Sequence, residues 1–379
     1  MKILCATEFY PPSTGGMQIS NYLIIEELQK IGYEVRILIF GKNKPKNDNH
    51  SKIYYYNLNM SSLIDNFKVG KLIKHNIKKF KPEFTLLMDD AMGRSVGTVP
   101  FFKEKNTKLI SINSGSYLSR NYKSIRKFVA SFCTKRGYDI FDFIFLSDST
   151  YEFMKNKFPE YRNKMTPLGR PVPDYFFDNI NKNYIHQKYK KLSIKKPYFF
   201  SCSRAVNEKG IKEIILALNT LRNKNKREEV NFIYTGDGPE LDNWKRLVKE
   251  LNLKKIHLIG NIPYQDIKFF YDNCYMTIFP SYYEGETFGR AWVESFACGK
   301  PVISTLIQNL KFLVKDKVNA IKIESNPESI SLGIEKAINL DKRDYKKLAD
   351  NAILMAKNYQ QSILIKKMIN VLQEREIIT

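Results

Sequence analysis

Two glutamates, Glu286 and Glu294, stand eight positions apart and flank a Phe288-Gly289 turn. Carboxylates accept hydrogen bonds from sugar and ribose hydroxyls, and this spacing can place one acid in a loop and the other on the helix behind it. Apolar residues 275–279 lead into the pair, and residues 301–304 follow it as a second predicted strand. The alternative is an acid in a first helical turn plus a surface acid, because glutamates are common at helix starts.

Two cations follow another apolar segment, residues 198–201. Arg204 and Lys209 flank the loop between this predicted strand and the helix that begins near Gly210. A guanidinium binds phosphate oxygens through its planar fork, and an ammonium binds them as a point charge. The loop is therefore a candidate diphosphate site, although an arginine and a lysine in a loop are often only solvated.

Two glycine loops also come directly after predicted strands. Pro11-Pro12 and Gly15-Gly16 precede the first helix, where backbone amides and the helix dipole favour a phosphate. Gly236, Asp237 and Gly238 precede Pro239, which suits the start of a helix. The first loop is alternatively a plain turn, and the second either borders a nucleotide or is structural.

Length and composition indicate the number of domains and the class of protein that carries these loops. A chain of 379 residues is too long for one ordinary core, which predicts two domains. No apolar run approaches the roughly 20 residues that span a bilayer, and the short, soon acidic N-terminus does not resemble a signal peptide. The five cysteines form no C-x-x-C pair, which predicts buried free thiols and a cytoplasmic protein.

Strands alternate with helices in both halves of the chain. Such alternation predicts an α/β fold with parallel, doubly wound sheets. The prolines near residues 167–173 interrupt the pattern and indicate a connection between domains. We therefore predict a Rossmann-like domain over residues 1–170 and a second one over 171–359, the two facing a cleft, with a last helix near 360–379 returning to the first.

Positive charge is concentrated in the first half. The net charge is +23, and residues 1–200 carry 34 lysines and arginines against 17 aspartates and glutamates. This excess predicts an anionic partner, or it reflects a lysine-rich composition on solvated faces. The segment 121–136, from Asn121 to Arg136, combines basic residues with an apolar face. It is either a helix that lies on an anionic membrane or a core-facing helix with a basic rim.

Taken in order, these segments resemble the retaining, GT-B-fold glycosyltransferases of family 4, the glycosyl transferases group 1. The resemblance covers essentially the whole chain, and its most specific part is the E-x7-E pair Glu286 and Glu294 followed by Gly299-Lys300-Pro301. It implies transfer of a sugar from a UDP- or GDP-linked donor to a glycan or lipid-linked acceptor, without a metal or other cofactor. Surface polysaccharide, lipopolysaccharide or glycolipid assembly is the implied setting.

The resemblance also implies a role for each matching residue. The first domain would bind the acceptor. Gly16, Arg204 and Lys209 would contact the donor diphosphate, Glu294 the ribose, and Gly236, Asp237 and Gly238 would border the nucleotide. Glu286 would contact the transferred sugar together with Thr287, Phe288 and Gly289. Asn113 or Ser114 would stand where many members have a histidine next to the reacting sugar.

Three departures from the family pattern concern the donor and the reaction. Besides the missing histidine at Asn113, Ser203 replaces a common glycine before the phosphate arginine, and Gln308-Asn309 replaces a common Gly-Gly loop. A sugar-nucleotide 2-epimerase of the same fold is an alternative function, although the E-x7-E context does not favour it. A basic polyanion-binding protein is another, but no nucleic-acid-reading module is recognisable.

Overall fold

The computed structural model describes residues 1–11, 15–41, 44, 52–104, 106–113, 125–178, 189, 196–225, 230–283, 285–286 and 288–378. They form two compact units. The first unit consists of Met1–Val172 and Gln361–Thr379, and the second of Pro173–Gln360. Each unit is built on its own parallel sheet.

The first unit contains seven strands in the order β3-β2-β1-β4-β5-β6-β7. The strands are β1 (Lys2–Thr7), β2 (Glu34–Phe40), β3 (Lys52–Tyr56), β4 (Phe84–Leu87), β5 (Lys108–Asn113), β6 (Phe143–Leu146) and β7 (Met165–Pro167). The helices are α1 (Gly16–Lys30), α2 (Leu63–Phe80), α3 (Asp90–Thr98), α4 (Ile125–Ile140) and α5 (Asp148–Lys157). Side chains alternate along a strand, and both faces of this sheet are covered. In β1, Leu4 therefore enters the core on one face, and Ile3 and Cys5 enter the core on the other.

The second unit contains six strands in the order β10-β9-β8-β11-β12-β13. The strands are β8 (Tyr198–Cys202), β9 (Asn231–Thr235), β10 (Ile256–Leu258), β11 (Thr277–Phe279), β12 (Val302–Ser304) and β13 (Ala320–Lys322). The helices are α6 (Ile211–Asn225), α7 (Leu241–Glu250), α8 (Tyr264–Asn273), α9 (Arg290–Ala297), α10 (Pro327–Ile338) and α11 (Lys342–Lys357). The core lies between these helices and the sheet, with Trp244, Phe232 and Ile303 among its buried side chains.

The last helix, α12 (Gln361–Glu374), belongs to the first unit and packs against α1. The buried Gln361 side chain donates hydrogen bonds to the Leu23 carbonyl at 3.1 Å and to the Glu26 carboxylate at 2.9 Å. Leu364, Ile365 and Met368 complete the contact by entering the core beneath β1. The predicted fold class, an α/β protein with two doubly wound parallel sheets, is confirmed.

Helix α3 has no counterpart in the sequence prediction. Its nine residues include Gly93 and Gly97, which have low helix propensity. Tertiary packing supplies the reason for Gly97: a Cβ at this position would lie 1.8 Å from the Cys133 carbonyl oxygen of α4. The close approach of α3 and α4 therefore requires a residue that local propensity disfavours.

Helix α4 covers most of the predicted basic segment, of which residues 121–124 lie outside the described part of the chain. Its buried residues include Ala130, Thr134 and Tyr138, whereas Phe128 is 69% exposed and Phe132 57% exposed. The core-facing interpretation is therefore wrong for these two phenylalanines. Within the described ranges, no helix is both long enough and apolar enough to span a membrane.

Candidate functional site

The predicted donor residues of the second unit follow strands of one sheet. Strands β8 and β11 are neighbours in that sheet, and the strand order changes direction between them. Ligands of open α/β sheets bind outside the carboxyl ends of the strands at such a switch point. The loops after β8, β9 and β11 all leave from this edge, because the strands are parallel.

The loop after β8 carries the two predicted phosphate-binding cations in different environments. Arg204 is exposed and forms no ion pair with a described residue, whereas the Lys209 side chain is only 17% exposed. The Lys209 ammonium donates a hydrogen bond to the Glu286 carboxylate and lies 5.3 Å from the centre of the Tyr283 ring. Burial lowers the pKa of Lys209 to about 8, although the Glu208 carboxylate acts in the opposite direction.

The loop after β9 supports the loop after β8. The Ala205 amide donates to the Asp237 carbonyl at 2.8 Å, and the Asp237 carboxylate accepts from the Gly238 amide at 2.8 Å. Gly236 has a φ of 144°, and a Cβ there would lie 1.8 Å from the Ser203 carbonyl oxygen. Gly236 thus allows the two loops to pack closely, which is a structural reason for this glycine beside its predicted place in the nucleotide pocket.

The loop after β11 contains Glu286 and leads into α9, while Thr287 lies outside the described residues. Phe288 is buried, and its ring packs edge-on against Tyr359 at 5.1 Å, so its side chain belongs to the core. Gly289 is the N-cap residue of α9 and has a φ of 73°, a left-handed conformation that favours glycine. Trp292 holds the first turn of α9 to β12 by donating to the Ser304 hydroxyl at 2.8 Å.

Glu294 lies on α9, and only 3% of it is exposed. Its carboxylate accepts hydrogen bonds from the Tyr264 hydroxyl at 2.7 Å and from the Tyr271 hydroxyl at 3.3 Å. The Arg290 guanidinium lies 3.5 Å from the oxygen that Tyr264 contacts. Burial raises the pKa of Glu294, while Arg290 and the two phenols oppose the rise.

In the first unit, the predicted residues lie along the corresponding edge of the other sheet. Gly16 is the exposed first residue of α1, and Asn113 is the buried last residue of β5. The Asn113 amide donates to the Asp90 carboxylate and, at 2.7 Å, to the Tyr138 hydroxyl. Ser114 lies outside the described residues.

Two acids at this edge were not predicted as site residues. Glu8 follows β1, and its amide donates to the Asp89 carboxylate at 2.8 Å, which also caps α3 through the Met92 amide at 3.0 Å. Burial raises the pKa of Glu8 to about 7; Asp89 adds to the rise and the Arg94 guanidinium opposes it. Strands β1 and β4 are neighbours at the switch point of the first sheet, which places both acids where such folds bind ligands.

The signals that could have revealed the missed residues are weak. Asp89 begins a glycine-containing helix, and Tyr264 and Tyr271 are ordinary aromatic positions of an amphipathic helix. Apart from the Met92 amide, their partners lie 23 to 82 residues away in the chain, which local patterns do not show. Within the described ranges, no three His, Cys, Asp or Glu side chains form a group that could hold a metal ion.

Residues 185–355 match the family model described as glycosyl transferases group 1. The second unit belongs to this family. The match spans β8 to β13 and includes Arg204, Lys209, Glu286 and Glu294. The order of the motifs in the sequence predicted this match.

Curated relatives extend the similarity to the rest of the chain. An uncharacterized glycosyltransferase of Methanocaldococcus jannaschii is 24% identical over 365 residues, 89% of each chain. The N,N'-diacetylbacillosaminyl-diphospho-undecaprenol alpha-1,3-N-acetylgalactosaminyltransferase of Campylobacter jejuni is 26% identical over 262 residues, 66% of this chain and 65% of the relative.

Solved structures share the whole fold. A glycosyltransferase from Rickettsia africae superposes with a TM-score of 0.79 at 20% identity and covers 99% of this chain and 98% of its own. Anabaena HepE in complex with UDP-glucose superposes with a TM-score of 0.75 at 16% identity and covers 99% of this chain and 100% of its own. At these identities the likeness concerns the fold, which is that of the GT-B glycosyltransferases.

Proposed function

We propose that this glycosyltransferase transfers a hexose-type sugar from a UDP- or GDP-linked donor to a glycan or lipid-linked acceptor in surface polysaccharide, lipopolysaccharide or glycolipid assembly. The contact between Lys209 and Glu286 is the observation that carries the donor class. In a nucleotide sugar the β-phosphate is bonded to the anomeric carbon. A cation that binds this phosphate and a carboxylate that binds this sugar must therefore be neighbours.

In the proposed reaction the bond between the anomeric carbon and the β-phosphate oxygen breaks, and a bond to the acceptor oxygen forms on the same face of the sugar. The anomeric configuration is retained because the new bond forms on the face from which the diphosphate leaves, and the acceptor proton passes to that diphosphate. Lys209 and the exposed Arg204 stabilise the charge that develops on the phosphate. These two cations supply the positive charge that a divalent metal ion supplies in metal-dependent transferases. We therefore expect transfer without added metal.

A lipid-linked acceptor is supported by the name of the Campylobacter jejuni relative, which includes a diphospho-undecaprenol acceptor. UDP as the donor nucleotide is supported by the Anabaena HepE complex with UDP-glucose. We combine both into a specific expectation: a UDP-sugar as donor and a polyprenyl diphosphate glycan as acceptor.

Thermal-shift measurements with UDP, GDP, ADP and their sugars identify the donor, because a ligand that binds the native state raises the unfolding temperature. Transfer with the selected donor is then measured in EDTA, and the product anomer is read by NMR. Glu286→Gln should lose most of its transfer activity, while Asp242→Asn, a change to an exposed acid on α7, should retain it. Conversion of the donor to an epimer without any acceptor would instead identify an epimerase.

We also propose that the enzyme is cytoplasmic and docks on the inner face of the cytoplasmic membrane through α4. The exposed Phe128 and Phe132 lie on the helix that carries Lys135, whose side chain is 48% exposed. Exposed aromatics next to basic side chains suit a surface of anionic lipid.

Sedimentation with liposomes tests this docking at low salt. The wild-type protein should bind anionic vesicles and not neutral ones, and the double variant Phe128→Ser/Phe132→Ser should bind them much less. Leu354→Ser is the matched control, because Leu354 is an equally apolar side chain, 66% exposed, on α11 of the second unit. Equal sedimentation of the double variant and the control would rule out docking through α4.

A further inference from the structure

The carboxylate of Glu294 is held by groups that the E-x7-E motif does not include. Tyr264 donates to one oxygen at 2.7 Å, and Arg290 lies 3.5 Å from the same oxygen. Arg290 also donates to the Tyr264 hydroxyl at 3.1 Å, which joins the three side chains into one network. The Tyr271 hydroxyl donates to the other carboxylate oxygen at 3.3 Å.

The two tyrosines have different surroundings although both lie on α8. Tyr271 is fully buried: its hydroxyl also contacts the Cys202 thiol at 2.8 Å, and its single proton is shared between Glu294 and the Ala291 carbonyl at 3.1 Å. Tyr264, the first residue of α8, is less buried, and its hydroxyl contacts only Glu294 and Arg290 in the described part of the chain. Tyr271 is thus part of the core, whereas the Tyr264 hydroxyl is used for the contact with the Glu294 carboxylate and its neighbour Arg290.

Counting hydrogen-bond sites shows why the Tyr264 contact matters. A carboxylate has two oxygens with about four acceptor positions, and the two positions on the oxygen near Tyr264 already face the phenol and the guanidinium. The remaining acceptor capacity lies on the other oxygen, 3.3 Å from the Tyr271 hydroxyl. A carboxylate fixed in this way presents a defined oxygen to a ligand hydroxyl, and a freely rotating one does not.

We propose that Tyr264 is a positioning residue for the donor ribose: its hydroxyl holds the Glu294 carboxylate in the orientation that accepts a ribose hydroxyl. This inference rests on the proposed contact between Glu294 and the ribose. It makes Tyr264 a determinant of how strongly the enzyme prefers ribonucleotides to deoxyribonucleotides. The Tyr264 hydrogen bond also favours the ionised form of the Glu294 carboxylate. Without it, Glu294 should take up a proton at a higher pH, and nucleotide binding should begin to weaken at that higher pH.

The test compares Tyr264→Phe with the wild type by isothermal titration calorimetry. The probes are the nucleoside diphosphate selected in the thermal-shift screen and its 2′-deoxy and 3′-deoxy forms. In Tyr264→Phe, affinity for the ribonucleotide should fall about tenfold, as expected for the loss of a hydrogen bond to a charged group, while affinity for a deoxy form changes little. The fall in ribonucleotide affinity on acidification should also occur at a higher pH than in the wild type.

Tyr345→Phe is the control, because it removes a similar half-buried phenol contact, with the Tyr275 carbonyl at 2.6 Å, away from Glu294. Calorimetry reports stoichiometry and affinity separately, so a partly unfolded sample does not alter the ratio of affinities. If the wild type discriminates against the deoxy forms and Tyr264→Phe discriminates equally well, Tyr264 has no positioning role. If the wild type binds all forms equally, the ribose contact of Glu294 fails, and this inference fails with it.

Discussion

The two sheets have the same kind of switch point, but the charged groups at their carboxyl edges differ. In the second unit each described glutamate of the motif faces a proton donor: Glu286 faces Lys209, and Glu294 faces Tyr264 and Tyr271. In the first unit the Asp89 carboxylate lies close enough to Glu8 to disfavour ionisation of the Glu8 carboxyl group.

This difference separates the chemistry of the two edges. The edge of the second unit offers a half-buried ammonium and an exposed guanidinium, which suit an anionic diphosphate. The edge of the first unit offers carboxyl oxygens, which suit ligands that donate hydrogen bonds, such as hydroxyl groups. The first unit is nevertheless the more basic part of the sequence. Net charge over half a chain therefore describes its surface and not the site within it.

The largest expected effect is that of removing the cation of the second unit. Lys209→Ala should weaken nucleoside diphosphate binding roughly ten- to a hundredfold, because it deletes a charge-assisted hydrogen bond in a partly desolvated site. Lys212→Ala, an exposed lysine on α6, is the control and should bind normally. Calorimetry measures both. Unchanged affinity in Lys209→Ala would remove the contrast between the two edges.

The pH dependence of nucleoside diphosphate binding is a second test of the difference between the two edges. The pKa of Lys209 in the free protein is about 8, so the ammonium loses its proton as the pH rises through that value. Diphosphate affinity should accordingly fall several-fold between about pH 7 and pH 9.5. Lys209→Arg keeps its charge throughout this range and should show a flatter profile. A wild-type profile as flat as that of Lys209→Arg would contradict the assignment of this lysine.

The smallest effect concerns the stability of the first unit. The pKa of Glu8 is raised from 4.5 to about 7, so between these values the native protein holds a proton that the unfolded chain releases. The contribution of Glu8 to the free energy of unfolding therefore decreases as the pH rises through this window. Glu8→Gln mimics the protonated form and should raise the unfolding temperature at pH 8 but not at pH 4.5.

Thermal unfolding of Glu8→Gln and of Glu152→Gln at both pH values measures this effect. Glu152, an exposed acid on α5 of the same unit, is the control and should show no pH-dependent gain. A gain of equal size at both pH values would mean that Glu8 is not protonated in the native state near neutrality.

Much of the fold follows from local patterns in the sequence. Apolar runs of strand length alternate with amphipathic segments, and this alternation is sufficient to predict parallel, doubly wound sheets. It fails where tertiary contacts override local propensity. Helix α3 was missed because Gly93 and Gly97 are poor helix formers, and they are present because α4 packs against their backbone. The sequence also could not predict whether the apolar face of α4 is exposed, since an apolar stripe has the same pattern whether or not a core covers it.

For the candidate site, the sequence by itself determined which residue types follow which strands: the cations Arg204 and Lys209 after β8 and the glutamates Glu286 and Glu294 after β11. Only the tertiary structure decided which of them meet. Lys209 and Glu286 are 77 residues apart and come together because β8 and β11 are parallel neighbours whose carboxyl ends share one edge. The proximity of Glu8 to Asp89 has the same cause, whereas the partners of Glu294 come from the packing of α8 against α9. Such pairings depend on strand order and helix packing, which no short segment of the chain contains.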